Sequence, residues 1–137
     1  ITVVNVEKTQ AEIIAGRVRD NTKCDATAQL WAGEARISDG TDIVINATSV
    51  GFGDAEAMAA VDVDTLKTGQ IVADVIPNPP TTRFLREARK RGCTPLEGLG
   101  MLVNQGVIGV ELWLGKTLDA TVMKRTLSDI FNTSDAE

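Results

Sequence analysis

The chain has no histidine, no tyrosine and only two cysteines in 137 residues. Zinc sites are built from Cys, His and carboxylate ligands at close spacing, and Cys24 and Cys93 stand far apart with no imidazole to join them. The same scarcity excludes a disulfide framework, so both thiols are expected to be reduced and partly buried. Aromatic residues make up 4% of the chain, and no basic cluster is interleaved with them. With 19 acidic against 14 basic residues, the net charge of -5 argues against a nucleic-acid partner. No apolar run approaches the length of a bilayer crossing, which argues against a membrane partner. The amino terminus carries neither a methionine nor a charged targeting region, and Ile1-Thr2-Val3-Val4 enters a strand pattern directly. These absences predict a soluble, cytoplasmic chain that begins in mid-fold, as a fragment would.

What is present alternates between strand and helix patterns over a length suited to a single domain, 1–137. Ile1 to Val4 is a β-branched run, and Glu7 to Val18 has apolar residues at helical spacing. Ala26 to Leu30, Asp42 to Asn46, Gln70 to Val75 and Cys93 to Leu96 read as short strands, with a turn or short helix over Asp62 to Leu66. The prolines of Pro77-Asn78-Pro79-Pro80 stop the strand before them. Thr81 or Thr82 can then cap a helix through Arg83 to Lys90, whose basic last turn ends at Gly92. Gly100 to Leu114 and Ala120 to Phe131 are the last two helices, and the polar tail 132–137 is expected to fray. Such alternation predicts an α/β fold, a parallel sheet with helices on both faces. Ligands then bind outside the carboxyl ends of the strands, here Asn5 to Lys8, Asn46 to Gly53, Asp74 to Pro80 and Glu97 to Met101. Four such ends are expected to line one crevice.

The segment Glu97 to Gly106 sets glycines and one uncharged amide, Gln105, in an otherwise apolar helix. A helix apolar on most faces is expected to be buried, and a buried Gln must be satisfied by the protein or by a ligand. Gly98 and Gly100 permit close approach to a flat ring. Thr48 and Ser49 suit a loop passing beneath a ligand, or plain turn chemistry. Asp74 is a possible catalytic carboxylate, but a strand-end Asp more commonly accepts bonds in a turn or cap.

Taken together, Asn46-Ala47-Thr48-Ser49-Val50-Gly51, Asp74 with Asn78-Pro79 and Thr82, Gly98-Leu99-Gly100-Met101-Leu102-Val103 with Gln105-Gly106, and Glu111-Leu112-Trp113 with Gly115 resemble the shikimate and shikimate/quinate dehydrogenases. The resemblance covers nearly the whole chain. It implies a Rossmann-like domain that binds NADP, with NAD possible, normally the carboxyl-terminal half of a two-domain enzyme interconverting 3-dehydroshikimate and shikimate. By that comparison the chain lacks the first strand-helix unit with its glycine-rich phosphate loop. It also lacks the substrate domain with the family's catalytic Lys and Asp, so no catalytic residue is assigned here and the chain alone is expected to be inert. The uncovered flank is expected to promote self-association.

The resemblance also assigns roles by position. Asn5, Val6, Glu7 and Lys8 stand where the adenosine ribose is read. NADP-dependent relatives have an Arg where this chain has Val6, Glu7 would repel a 2′-phosphate and Lys8 would attract it, so the cofactor preference stays open. Equally, Glu7 and Lys8 can begin a solvated helix face. Thr48, Ser49, Val75, Gly98 and Met101 fall at the cofactor, and Gln105 at a hydroxyl of a small cyclic acid substrate. Glu111 and Trp113 are expected to anchor their helix against the sheet or the absent domain. The family often has a Tyr contacting substrate two residues beyond Val75, where this chain has Pro77, a departure that bears on the substrate rather than the fold. Two rival readings are another bidomain dehydrogenase, such as a methylenetetrahydrofolate dehydrogenase, and a nucleotide-binding or interaction module without catalysis.

Overall fold

A computed structural model describes residues 1–134 of the chain. In order, the elements are β1 (Thr2–Asn5), α1 (Lys8–Asn21), β2 (Thr27–Leu30), β3 (Ala35–Arg36), β4 (Ile43–Asn46) and β5 (Val61–Asp62). A 3-10 turn (Val63–Thr65), β6 (Ile71–Asp74), α2 (Arg83–Lys90), β7 (Thr94–Leu96), α3 (Gly98–Leu114) and α4 (Ala120–Ser134) follow. Every strand pair among the described residues is parallel, as the α/β reading requires. The last helix extends beyond its predicted end at Phe131. Of the tail expected to fray, 132–134 belong to that helix and 135–137 lie outside the described residues.

The chain divides into two compact units. The first comprises 1–36 and 60–62. There β1 pairs with β2 from Thr2↔Thr27 to Asn5↔Leu30, and α1 packs on both strands. Ala11 and Ala15, one turn apart, are its fully buried residues, and their small side chains let the helix lie close to its neighbours. The two-residue strands β3 and β5 pair beside them, and the Trp31 indole donates to the Ala60 carbonyl at 2.8 Å. Neither strand was expected, because two residues carry no periodicity to read.

The second unit, 37–59 with 63–137, holds the sheet β4-β6-β7 in the register Ile43↔Ile71↔Thr94. Helix α2 covers β6 and β7 with Phe84, Leu85 and Ala88, and Val72 of β6 and Leu99 and Val103 of α3 are buried in the same unit. The opposite face of the sheet, Ile43, Ile45, Ile71 and Leu96, is exposed. Cys93 is buried, its thiol pushed up from its ordinary pKa by desolvation, whereas Cys24 is exposed. The expectation that both thiols are partly buried therefore does not hold for Cys24.

Helix α3 corrects a second expectation. Only Gly98, Leu99 and Val103 are buried along it; Met101, Ile108 and Leu112 are exposed, and Trp113 is 81% exposed rather than packed on the sheet. Its sequence is apolar on most faces, but the described elements cover one stripe of it. Its amino terminus is nonetheless tightly seated. A Cβ on Gly98 would stand 2.5 Å from the Ile76 carbonyl oxygen and 2.6 Å from the Val75 carbonyl carbon, whereas one on Gly100 would meet nothing within 4 Å.

Gly98→Ala must displace backbone and should cost about 3 kcal/mol in urea unfolding. Gly100→Ala should be neutral or stabilising by up to about 1 kcal/mol, because it gains helix propensity without a clash. At the end of α2, hydrogen bonds from Lys90 and then Arg91 hold the Glu87 carboxyl down at about 2. A depressed carboxyl stabilises above its unfolded value and loses that contribution as pH falls towards its folded value. The melting temperature should therefore drop between about pH 4.5 and 2, less steeply in Glu87→Gln, and the difference should shrink in high salt because the group is solvent-screened.

Candidate functional site

At the carboxyl end of the three-stranded sheet, three polar residues are buried together: Asn46 (4% exposed) ends β4, Asp74 (3%) ends β6, and Thr82 (0%) precedes α2. Asp74 Oδ1 accepts from the Asn46 side-chain amide and from the Ile76 backbone N–H, each at 3.1 Å. Its Oδ2 accepts from the Thr82 hydroxyl at 2.7 Å. Every neighbour is a donor, which suits an acceptor-only carboxylate. Buried and engaged at both oxygens, Asp74 fits the turn-and-cap reading.

The network reaches into both loops. The Asn46 side-chain carbonyl accepts from the Thr48 hydroxyl at 2.7 Å and the Thr48 N–H at 3.2 Å, and Thr48 Oγ1 accepts from the Val50 N–H at 3.1 Å. Thr48 thus performs turn chemistry, while Ser49 is exposed beside it. Thr82 Oγ1 accepts from the Leu85 N–H at 3.4 Å and so caps α2. The outer part of the β4 loop is held by Arg86, whose guanidinium donates to the carbonyls of Ala55 and Thr81, each at 3.1 Å, and pairs with Glu56. The Gly53 N–H donates to the Asn78 carbonyl at 3.3 Å, next to the cis Asn78–Pro79 bond. Sequence reasoning read Asn46 as a strand end and Thr82 as a cap. It missed their meeting at Asp74, for which the available signal was a small polar residue closing each apolar run.

Among the predicted site residues, Thr48, Ser49, Val75, Gly98, Met101 and Gln105 belong to this unit. Val75 follows Asp74, its N–H bonded to the Asn46 carbonyl at 3.1 Å, and its carbonyl carbon is one of the atoms against which Gly98 seats. Met101 and Gln105 lie one turn apart on α3, and both are exposed. The expectation of a buried Gln105 amide is thus corrected: water reaches it, so it needs no buried partner. A groove of about 480 Å³ between α3 and α4, lined by Asn104, Lys124 and Arg125 among others, includes none of these six.

Asn5, Val6, Glu7 and Lys8 lie in the other unit. Asn5 Oδ1 accepts from the Glu7 N–H at 2.9 Å, closing a turn at the end of β1. Val6 is 71% exposed. Lys8 opens α1 and faces Glu12 at 3.7 Å, with both side chains in solvent.

The chain is similar to known proteins. The family described as the shikimate 5'-dehydrogenase C-terminal domain matches residues 98–127, spanning α3 and the first half of α4. A shikimate dehydrogenase (NADP(+)) of Methanococcus aeolicus is 34% identical over 131 residues, 95% of this chain and 47% of its own length. The crystal structure of ligand-free 5-ketofructose reductase of Gluconobacter sp. strain CHM43 is 56% identical, with a TM-score of 0.91 over 96% of this chain and 47% of that one. Quinate dehydrogenase from Corynebacterium glutamicum in complex with NAD is 28% identical, with a TM-score of 0.79 over 91% of this chain and 44% of that one. The chain thus spans about half the length of the proteins it matches. It belongs to the shikimate/quinate dehydrogenase family and corresponds to the carboxyl-terminal, Rossmann-like part of its members.

Proposed function

We propose that this chain is the cofactor-binding part of an NAD(P)-dependent oxidoreductase whose substrate is a polyhydroxylated ketone of the 5-ketofructose type rather than shikimate. The observation that carries the substrate is the 56% identity to the 5-ketofructose reductase, against 34% and 28% to the shikimate and quinate enzymes. Pro77 agrees with it: where the resemblance expects a substrate-contacting Tyr, this chain presents no hydroxyl.

The residues present fit a nicotinamide cofactor. The space over Gly100 is open, and Gly98 brings the start of α3 onto the backbone that follows Val75. Two residues apart on the helix, the two glycines face different sides of it: Gly98 is closed against backbone, and Gly100 offers the open, side-chain-free side. When bound, the nicotinamide supplies or accepts the hydride. In this reading Thr48 and Ser49 support the ribose, Val75 and Met101 wall the ring, and Gln105 bonds a substrate hydroxyl. Asn5, Val6, Glu7 and Lys8 read the adenosine ribose. NADP is the proposed cofactor, as in the name of the Methanococcus relative, and Lys8, its pair with Glu12 long and exposed, supplies the charge for a 2′-phosphate. NAD is the second candidate, with Glu7 accepting from the free 2′-hydroxyl. The proton donor is assigned to the part of the protein outside this chain.

The test is a comparison of substrates with the polypeptide from the complete reading frame, using NADPH and NADH. Reduction of 5-ketofructose should exceed that of 3-dehydroshikimate by at least about a hundredfold in kcat/KM, and the opposite order would restore the shikimate reading. Gln105→Ala should lower kcat/KM for the preferred substrate by about tenfold or more, and an unchanged value removes Gln105 from the substrate site. Tight cofactor binding without turnover of either substrate would favour a non-catalytic module.

A further inference from the structure

Thr82 is fully buried, so it touches no ligand, yet it is the residue at which three elements meet. Its hydroxyl donates to Asp74 at the end of β6 and accepts from the Leu85 N–H in the first turn of α2. Its γ-methyl lies 3.3 Å from where a Cβ on Gly51 would stand, against the loop that leaves β4. In a parallel α/β sheet ligands bind at the carboxyl ends of the strands, and here those ends lead into the two loops that Thr82 ties together. We propose that Thr82 is a positioning residue: through Asp74 on one side and Gly51 on the other, it sets the spacing of the β4 and β6 loops and with it the affinity for the nicotinamide cofactor.

The two contacts are chemically separable. Releasing the hydroxyl leaves Asp74 Oδ2 without its donor and α2 without its cap, while the methyl packing stays. Asp74 then retains only the two donors on Oδ1, from Asn46 and Ile76. With its second oxygen unpaired, the carboxyl is held by one oxygen instead of two, and the acceptor of the Ile76 amide is less firmly fixed. Slack enters at the backbone on which Gly98 seats, one residue beyond Val75. Removing the methyl instead preserves every hydrogen bond and opens only a small gap beside Gly51. Loop spacing thus depends on the hydroxyl more than on the methyl.

The proposal rests on the cofactor-binding reading given above, and its test uses the complete polypeptide. Thr82→Val keeps the shape and removes the hydroxyl; Thr82→Ser keeps the hydroxyl and removes the methyl. Thr82→Val should raise the cofactor Kd and KM about tenfold while kcat at saturating cofactor changes less than about twofold. Thr82→Ser should restore most of the cofactor affinity. Amide exchange at Ile76 should quicken in Thr82→Val and stay slow in Thr82→Ser. A purely structural role would lower the melting temperature and the active fraction but leave cofactor KM unchanged, and that result overturns the proposal while the cofactor reading stands. If the unaltered protein binds neither NADPH nor NADH, both readings fall. Should Thr82→Val not fold, Asp74→Asn decides: its amide offers one acceptor oxygen to three donors, and an unchanged cofactor KM there overturns the proposal equally.

Discussion

Burying the Asp74 carboxylate at the end of β6 obliges the chain to surround it with donors, because an unsatisfied buried acceptor costs more than most single contacts return. The donors come from three places in the sequence: the last residue of β4, the backbone two residues on, and the residue before α2. Meeting that one demand brings the β4 loop, the proline-rich β6 loop and the start of α2 to a common point. The rest of the unit's carboxyl end follows. Thr48 orders the first loop on Asn46, Arg86 ties its outer part back to Thr81, and α3 seats against the backbone beyond Val75. An apolar residue at position 74 would leave the Asn46 amide, the Ile76 N–H and the Thr82 hydroxyl without this acceptor and would specify none of this.

How much of this was legible in the sequence varies with the kind of signal. Helix α2 is found at its predicted limits because cap, basic last turn and terminal glycine agree there. The strands β4 and β6 lie within a residue of expectation, since turn residues and prolines bound their apolar runs. By contrast, β3 and β5 are too short to carry a pattern. For α3 the composition showed which faces are apolar but not which would find a partner, and Gln105 was placed inside for that reason. The polar cluster was visible only in parts, as a strand end, a possible base and a cap, because meeting in space is a property of the register and not of any one segment. Family membership was the most legible feature, resting on an ordered set of motifs rather than on any single one. The substrate was the least: Pro77 in the place of a hydroxyl-bearing ring marked a departure from the family pattern and named no substrate.

The residues proposed to read the ribose show the same limit from another side. Asn5 to Lys8 form a well-defined turn into α1, with the Asn5 side chain bonded to the Glu7 amide. Opposite charges stand side by side at Glu7 and Lys8, and neither is committed by a buried partner. On the proposed reading, the balance between a phosphate and a free hydroxyl at this turn is set by two solvated side chains, a small free-energy difference by the usual measure of surface electrostatics.

The contact at Gly98 joins one main chain to another, with no side chain between them. Such a joint has nothing to trade: no volume to swap, no polarity to retune, and any residue larger than glycine is rejected by the same two carbonyl groups. Around it stand positions of the opposite character, Pro77 on the loop and Met101 and Gln105 on the exposed turns of α3, which are free to vary without disturbing the joint. A lineage built this way can exchange one substrate for another while the platform beneath stays in register, so diversification of specificity need not begin with loss of the fold.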